Sequence, residues 1–467
     1  MTMEDTIVAV STPHGMGGIA VVRVSGGGTL AVVGKVWQGK DLASVPSHTA
    51  HLGNLIMADG SVLDNAVATV FRGPNSFTGE DTVEFSLHGS KWIQREAVRL
   101  LVEAGARVAH PGEFTRRAFV NGRLDLAQAE AVADVIAASS RASHKLALQQ
   151  LSGSFSQKLR QLRQSLIDLA SLLELELDFS EEDVEFADRT KLKAITSDTL
   201  AMMRKLADSY SSGKAFKEGV PVVIAGSPNA GKSTLLNVLL NEEKAIVTDI
   251  PGTTRDIIED TKEIEGVLFR FYDTAGLRES EDRVEMIGIE KAKDAISKAS
   301  IVLWVIDASL DEEVIRKEIE AVNVNYSAHL DKKHLVLFNK TDRSYETFDS
   351  CVSWLSEQIL NFPENVLRIS AKNADGINNL QERLVTLSKS EYDPENEMIV
   401  TNARHYEALL AGSKTLERVK EGLDSGLSAD LIAQDLREAL HHLSELTGEV
   451  STDTLLSTIF SRFCIGK

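Results

Sequence analysis

The sequence has 467 residues, of which 50 are Lys or Arg and 69 are Asp or Glu, giving a formal net charge of −19. A chain of this length is too long for one simple core, so two or three domains are expected. The 43% hydrophobic and 25% charged residues exclude a disordered or fibrous protein. The negative charge disfavours unassisted binding to a nucleic-acid backbone, so an RNA substrate would require help from a partner.

Cysteine usage and hydropathy indicate the compartment. With only two cysteines, Cys351 and Cys464, a disulfide framework is excluded and a reducing compartment is expected. The first residues, "MTMEDTIVAV", do not resemble a secretory or transit peptide, and no apolar run approaches the roughly 18 residues of a membrane span. We therefore expect a cytoplasmic protein.

The composition and hydrophobic periodicity of the sequence change several times along the chain. Residues 1–120 contain short apolar runs separated by Gly, Pro, Asn and Ser, which predicts an α+β domain. Leucines at three- and four-residue spacing predict amphipathic helices over 121–215 and again over 385–467. Near-continuous apolar runs over 216–384 are typical of buried parallel strands in an α/β domain. The expected fold class is therefore multidomain: an α+β domain, and a discontinuous all-α bundle with an α/β domain inserted in it.

A phosphate-binding loop is predicted by "GSPNAGKS", which runs from Gly226 to Ser233 between a strand-like and a helix-like segment. Gly226 and Gly231 let backbone N–H groups approach phosphate oxygens. Lys232 can neutralise the outer phosphates, and Ser233 can offer its hydroxyl to magnesium. This combination indicates a nucleoside triphosphate site.

Three later motifs identify the base. "DTAG" begins at Asp273, "NKTD" spans Asn339–Asp342 and "SAK" spans Ser370–Lys372, each at the end of a predicted strand. Asp273 can hold magnesium through water. Asp342 can accept from two N–H groups on one edge of guanine, which adenine does not present. GTP is therefore expected rather than ATP.

The segment "GTTRD" at 252–256 lies between these motifs, where a switch would contact the γ-phosphate. Thr254 is the candidate for a second magnesium hydroxyl, although an ordinary turn after Pro251 would also account for the segment. The motifs together resemble the G domain of TRAFAC GTPases. One position departs from the signalling members: Leu277 stands where they carry the glutamine that orients water.

Leucine cannot orient water, so another polar group must do so. The acids that follow closely are Glu279, Glu281, Asp282 and Glu285, and the residues alone leave all four open.

Further segments narrow the resemblance: "DTIVAVSTPHGMGGIAVVRVSG", "HPGEFTRRAFVNGRLDLAQAEAVADVI" and the terminal "FCIGK". With the nucleotide motifs they resemble the MnmE, or TrmE, family of tRNA uridine modification GTPases from about residue 5 to residue 467. The resemblance implies an N-terminal domain that dimerises and binds 5-formyl- or 5,10-methylene-tetrahydrofolate. With an FAD-containing partner of the MnmG type, in a heterotetramer, such a protein adds a carboxymethylaminomethyl or aminomethyl group to carbon 5 of the wobble uridine of certain tRNAs.

The resemblance also implies a potassium-activated GTPase. The potassium ligands match Asn229, Thr248, Ile250 and Thr253, and a cation there would offset charge that develops on the phosphates. The water-orienting glutamate of the family matches Glu285, so Glu285, Lys232 and Thr254 are the predicted catalytic residues. The predicted GTP contacts are Asn229, Ala230, Gly231, Lys232, Ser233, Thr234, Thr248, Asp249, Ile250, Pro251, Gly252, Thr253, Thr254, Asp273, Thr274, Ala275, Gly276, Asn339, Lys340, Asp342, Ser370, Ala371 and Lys372.

For folate, the family contacts match Arg23, Glu84, Arg123 and Lys467. A pterin ring needs a bidentate acceptor such as a carboxylate, and a glutamyl tail needs cations. The residues alone would indicate ordinary surface charges or helix caps. Cys464 has two interpretations, a reactive thiol that faces the folate or a small buried hydrophobic residue.

Two other functions fit a guanine-nucleotide site: a GTP-switched factor for RNA or ribosome assembly, and a nucleotide-dependent scaffold with negligible turnover. An assembly factor is expected to carry a compact basic RNA module, whereas this chain is acidic. Tetrahydrofolate-dependent tRNA modification is therefore the leading hypothesis.

Overall fold

The computed structural model describes residues 5–13, 15–178, 189–241, 259–273, 295–343, 365–388, 397–450, 452–461 and 463–466. The chain divides into two compact units. The first contains Met1–Ala137, Ala147–Lys205 and Glu407–Lys467, and the second contains Ala138–Leu146 and Leu206–Tyr406. None of the described helices is long and apolar enough to cross a membrane.

The described strands are β1 (Ile7–Val10), β2 (Ile19–Ser25), β3 (Trp37–Gly39), β4 (Thr49–Ile56), β5 (Val62–Phe71), β6 (Thr82–His88), β7 (Arg107–Val108), β8 (Val220–Gly226), β9 (Glu259–Ile264), β10 (Val267–Asp273), β11 (Ile301–Asp307), β12 (Lys333–Asn339) and β13 (Val366–Arg368). The helices are α1 (Thr29–Gly34), α2 (Lys91–Glu103), α3 (Glu113–Val120), α4 (Leu126–Ala137), α5 (Arg141–Leu151), α6 (Ser154–Asp178), α7 (Arg189–Asp208), α8 (Tyr210–Glu218), α9 (Lys232–Asn241), α10 (Glu312–Ala328), α11 (Ile377–Ser388), α12 (Ala403–Ser425), α13 (Ala429–Thr447) and α14 (Asp453–Phe460).

A seven-stranded sheet with the order β3-β4-β5-β6-β2-β1-β7 forms the N-terminal part of the first unit. Its strands alternate buried and less buried residues, as a sheet with one covered face requires. The buried side chains of β2 and β6, among them Val22 and Phe85, share a core with Leu100 and Leu101 of α2. Burying each such side chain contributes about 1.5–3 kcal/mol to the free energy of unfolding. This core therefore fixes the strands, and with them the side chains on the other face of the sheet.

Helices from two distant segments share a core in the rest of the first unit. The leucine stripe of α6 is buried, and α6 packs against α13. On α13, Leu436, Leu443 and Leu446 are at most 1% exposed. A three- and four-residue leucine spacing forms one apolar face on each helix, and the two faces close on each other. The predicted discontinuous helical bundle is confirmed.

The second unit contains a six-stranded sheet with the order β13-β12-β11-β8-β10-β9. Its strands pair in parallel except for the β9–β10 pair. Apolar residues of α9 and α11 cover one face, and Ile315 and Ile319 of α10 cover the other. This double coverage explains why every residue of β11 is buried. The predicted α/β part is confirmed, and with it the multidomain fold class.

Strand β8 lies between β11 and β10, and the chain leaves it in a loop that leads directly into α9. The strand order reverses at this point. In open α/β sheets, ligands bind outside the carboxyl ends of the strands at such a reversal. The topology therefore predicts a ligand-binding site at the carboxyl end of β8.

An ion-pair network ties the start of the chain to α3. The side chain of Arg117 is 3% exposed and donates to Asp5 Oδ1 at 2.7 Å and to Glu113 Oε1 at 3.2 Å. Its Nη1 atom also donates to the Glu80 carboxylate at 3.2 Å. Burial raises the pKa of Glu113, but the hydrogen bond from Arg107 and its charge lower that pKa more, so the net shift is downward. Burial also raises the pKa of Asp5 and the two arginines lower it more, so the network holds the Asp5 and Glu113 carboxylates in their charged form.

Replacement of Arg117 by Met is expected to destabilise the N-terminal sheet by about 1.5–3 kcal/mol, because Glu80 loses a charged hydrogen-bond donor while Asp5 and Glu113 keep only Arg107 of their two arginine partners. Hydrogen exchange of the β1 and β2 amides under increasing urea measures the change. The matched control is Arg99→Met, since the Arg99 side chain is 59% exposed while it pairs with Glu96 and Glu103. That change is expected to cost less than about 1 kcal/mol. Equal losses for the two variants would contradict the account.

Candidate functional site

The loop between β8 and α9 encloses the ammonium of Lys232. This side chain is 8% exposed, and its Nζ atom donates to the Gly226 carbonyl at 2.9 Å and to the Ser227 carbonyl at 2.7 Å. These two carbonyl acceptors fix the position of the Lys232 ammonium within the loop, where an incoming phosphate would contact it. The loop thus has a fixed positive charge at the N-terminus of a helix, which is an arrangement that suits anions.

Two glycines of this loop have no room for a side chain. A Cβ atom on Gly226 would lie 2.2 Å from the Val305 carbonyl oxygen, and one on Gly231 would lie 2.2 Å from Asn339 Nδ2. Both also have positive φ, at 148° and 98°. The glycines are therefore required by the close approach of β11 and β12 as well as by the loop conformation.

Other predicted phosphate and metal residues line the mouth of the loop. Asn229 is exposed and has a φ of 63°, in the left-handed region that Asn tolerates better than most residues. Ser233 and Thr234 are exposed in the first turn of α9, whereas Ala230 is buried. The side chains of Asn229, Ser233 and Thr234 are thus accessible to a ligand.

Asn339 links the loop to the segment that follows β13. It is 2% exposed, its Nδ2 atom donates to the Ala230 carbonyl at 2.8 Å, and its Oδ1 atom accepts from the Ala371 N–H at 2.9 Å. Both polar ends of the amide are therefore used within the protein. Asn339 therefore positions the loop "GSPNAGKS" relative to the segment "SAK".

Lys340 adopts a positive φ of 65°, and its Nζ atom donates to Asp307 Oδ2 at 2.5 Å. Asp307 also accepts from the Ser309 backbone N–H at 2.9 Å and from its hydroxyl at 2.6 Å. Burial raises the pKa of Asp307, but the hydrogen bonds from Lys340 and Ser309 lower it more, so the carboxyl is held ionised. The ion pair fixes where the Lys340 side chain runs.

The predicted base-recognition carboxylate is exposed and oriented. Ser370 Oγ donates to Asp342 Oδ1 at 2.8 Å, and this hydrogen bond lowers the pKa of Asp342. Asp342 is consequently an ionised acceptor at neutral pH. Ser370 is 1% exposed and is positioned by backbone hydrogen bonds with Asp375, while Lys372 is exposed.

The strand register brings these motifs to one edge of the sheet. Gly226 pairs with Val305 between β8 and β11, and Asp307 pairs with Asn339 between β11 and β12. On the other side of β8, Asp273 is the last residue of β10. Parallel strands all end in the same direction, so motifs distant in sequence converge there.

Part of the predicted site lies outside the described residues: Thr248, Asp249, Ile250, Pro251, Gly252, Thr253, Thr254, Thr274, Ala275, Gly276, Glu285 and Lys467, together with Leu277, Glu279, Glu281, Asp282 and Cys351.

In the N-terminal sheet, two predicted folate residues are neighbours. Arg23 of β2 pairs in register with Glu84 of β6, and Arg23 Nε donates to Glu84 Oε1 at 2.8 Å. The guanidinium also lies 5.4 Å from the ring centre of Phe77 and 5.5 Å from that of Phe114. The ion pair and the two rings fix the orientation of Arg23.

Arg123 is exposed and lines a cavity of about 520 Å³. The other lining residues are His48, Phe71, Asn75, Ser76 and Phe77. Phe77 therefore contacts Arg23 and also borders the cavity that Arg123 lines. Arg23, Glu84 and Arg123 therefore lie in one region: Arg23 contacts both Glu84 and Phe77, and Phe77 lines the same cavity as Arg123.

Cys464 is exposed, so its interpretation as a small buried hydrophobic residue is wrong. The tail around it packs on β1: Ser11 Oγ donates to the Gly466 carbonyl at 3.3 Å, and a Cβ on Gly466 would lie 2.3 Å from the Val10 carbonyl oxygen. Gly466 is thus tightly packed, while the thiol two residues earlier is accessible.

Sequence reasoning missed several residues of these sites. Asp307 was detectable, since it is a carboxylate at the end of a predicted strand on the same edge of the sheet. Phe77, Phe114 and Glu318 gave no sequence signal, because each acts through a contact with a residue far away along the chain.

Comparison with known proteins gives matches along the whole chain. A family model described as the MnmE helical domain matches residues 126–464, and one described as the GTP-binding protein TrmE N-terminus matches residues 6–123. The tRNA modification GTPase MnmE of Cytophaga hutchinsonii is 49% identical, covering 99% of this chain and 98% of that protein. The MnmE of Christiangramia forsetii is 47% identical, covering 100% of both.

A solved structure of Era from Aquifex aeolicus, bound to GDP and AlF4−, is 26% identical with a TM-score of 0.30 over 42% of this chain and 65% of that one. The full-length relatives and the helical-domain match are much stronger. On these grounds the chain belongs to the MnmE family of tRNA modification GTPases.

Proposed function

We propose that this chain binds and hydrolyses GTP and uses the cycle to support modification of tRNA. The observation that carries the proposal is the convergence of Lys232, Asp342 and Ser370 at one edge of the second sheet, in a chain of the MnmE family. A fixed cation and an oriented carboxylate are the groups that a triphosphate and a guanine need.

In this proposal each part of GTP has its own contacts. The phosphates meet the backbone N–H groups of residues 229–234 and the Lys232 ammonium. The base meets Asp342, which can accept from both guanine N–H groups at once, and lies between the Lys340 stem and the segment 370–372. The hydrogen bonds of Asn339 support this placement because they hold the phosphate and base segments together.

Magnesium fits the donors at this edge. The Ser233 hydroxyl is exposed at the start of α9, and Asp273 ends the strand next to β8. With Thr254 and the phosphates they would supply the oxygen ligands that magnesium prefers. When bound, magnesium neutralises charge on the phosphates.

Potassium activation is a further part of the proposal. The side-chain amide of Asn229, a residue of the loop, is exposed and offers an oxygen ligand. Thr248, Ile250 and Thr253 would complete the site, and Glu285 would orient the attacking water. A second fixed cation near the phosphates would act where charge develops in the transition state.

We also propose that the N-terminal sheet binds 5-formyl- or 5,10-methylene-tetrahydrofolate. Glu84 supplies a carboxylate for the pterin, and Arg23, Arg123 and Lys467 supply cations for the anionic tail. The contact of Phe77 with both the Arg23 guanidinium and the Arg123 cavity supports one continuous site. The accessible thiol of Cys464 is available to react there.

The remaining features of the proposal concern partners and domains. The chain acts as a homodimer with an FAD-containing MnmG-type protein, and adds a carboxymethylaminomethyl or aminomethyl group to carbon 5 of the wobble uridine. The domains are 1–120, 121–215 with 385–467, and 216–384. The acidic net charge of −19 supports a partner that shares the contact with tRNA.

Asp342→Asn is expected to lower kcat/KM for GTP at least about 100-fold, because one guanine N–H then faces the asparagine NH2 and the other meets a neutral acceptor, whereas each hydrogen bond to the carboxylate is worth about 1.5–3 kcal/mol. The same change should improve XTP hydrolysis, since the asparagine amide donates to the C2 oxygen of xanthine. Steady-state rates with both nucleotides measure the switch. Asp331→Asn, at an exposed aspartate just before β12, is the control and should change neither rate. An unaltered preference for GTP in Asp342→Asn would place the base elsewhere.

Potassium should raise the GTP turnover rate at least about tenfold over sodium at equal ionic strength, because a correctly sized cation stabilises developing charge. Asn229→Gly removes the amide while tolerating the positive φ, so it should abolish the difference and keep the sodium rate. A variant that is still activated by potassium would exclude Asn229 as a ligand.

Glu84→Gln is expected to weaken 5-formyl-tetrahydrofolate binding by roughly ten- to a hundredfold, because a charged acceptor becomes neutral while its shape is kept. Calorimetric titration gives the affinity, and GTP turnover serves as an internal check that should not change. Glu103→Gln, an exposed glutamate paired with Arg99, is the matched control. Wild-type folate affinity in Glu84→Gln would refute the assignment.

A further inference from the structure

A glutamate on α10 accepts a hydrogen bond from the phosphate-binding loop. Ser227 Oγ donates to Glu318 Oε1, and Ser227 is the second residue of "GSPNAGKS". On α10, Glu318 lies between Ile315 and Ile319, which both pack on the sheet. The helix therefore holds this carboxylate at the loop.

The other carboxylate oxygen has an unusual environment. Glu318 Oε2 is buried and has no hydrogen-bond partner among the residues that the structure describes, although Oε1 is used. A buried carboxylate oxygen without a partner costs free energy, and the proposed GTP chemistry gives this group no part. Such a group therefore requires an explanation beyond packing.

Glu318 connects to the phosphate-binding cation through one residue. The carbonyl of Ser227 accepts from Lys232 Nζ at 2.7 Å, while the hydroxyl of the same residue donates to Glu318. Both groups bind Ser227, so the negative charge of Glu318 stabilises the cationic loop when no anion is bound. Phosphates that enter would bring further negative charge towards the same carboxylate, and like charges repel.

We propose that Glu318 is a positioning residue that weakens nucleotide binding: its charge favours the empty phosphate loop and promotes release of guanine nucleotides. The inference rests on the proposed GTP site and adds a means of regulating it. Since the repulsion is electrostatic, its effect grows with the number of charges on the phosphates, which a loss of packing would not produce.

Glu318→Gln provides the test, because glutamine keeps the acceptor for Ser227 and removes the charge. Affinities for GMP, GDP and GTP are measured by calorimetry on the full-length protein. We expect tighter binding for all three, by roughly tenfold for GDP, with the gain rising in the order GMP, GDP, GTP. The GDP dissociation rate should fall by a similar factor, and KM for GTP should fall without a rise in kcat.

The matched control is Glu312→Gln, at a half-exposed glutamate on the same helix that pairs with Arg316, and it should leave all three affinities unchanged. Glu318→Met also removes the charge and should reproduce the same order if the glutamine variant does not fold. Ser227→Ala keeps the charge and should not tighten binding.

Affinities in Glu318→Gln within twofold of the wild type, or an equal gain for the three nucleotides, would overturn the inference. If the wild-type protein bound none of them, the proposed function itself would fail. The two failures are therefore distinguishable.

Discussion

The pair of hydrogen bonds made by Asn339 is the interaction on which the nucleotide site depends. This single buried amide donates to the carbonyl of Ala230 and accepts from the N–H of Ala371. It joins the end of β12 to the loop after β8 and to the segment after β13. This amide thus fixes the phosphate-binding and base-binding segments relative to each other.

Parallel strand packing makes this link possible. Continuous apolar strands such as β11 must be covered on both faces, and that coverage directs polar residues to the strand ends. Asp307, Asn339 and the glycine loop meet there because their strands are in register. Hydrogen bonds then set the charges: those from Lys340 and Ser309 outweigh burial and lower the pKa of Asp307, and the one from Ser370 lowers the pKa of the exposed Asp342.

The sequence predicted the parts of this site whose chemistry is local. "GSPNAGKS" encodes its own loop and helix, and "NKTD" encodes its acceptor, so both could be placed before the structure was known. Glu318 and Phe77 could not, because their importance comes from contacts made across long distances in the chain. The exposure of Cys464 was not predictable either, because no local pattern specifies which of the last residues pack against β1.

The two units contain two different kinds of binding chemistry. The first carries an oriented arginine and carboxylate on neighbouring strands of its sheet, and the second carries a cationic loop at the ends of parallel strands. The direct measurement of the central claim is calorimetric titration of the purified protein with GTP and ATP, alongside phosphate release with magnesium and potassium present. The account predicts that GTP binds and is hydrolysed, that ATP does neither, and that Lys232→Ala loses both properties. A protein that neither binds nor cleaves GTP under these conditions would contradict it.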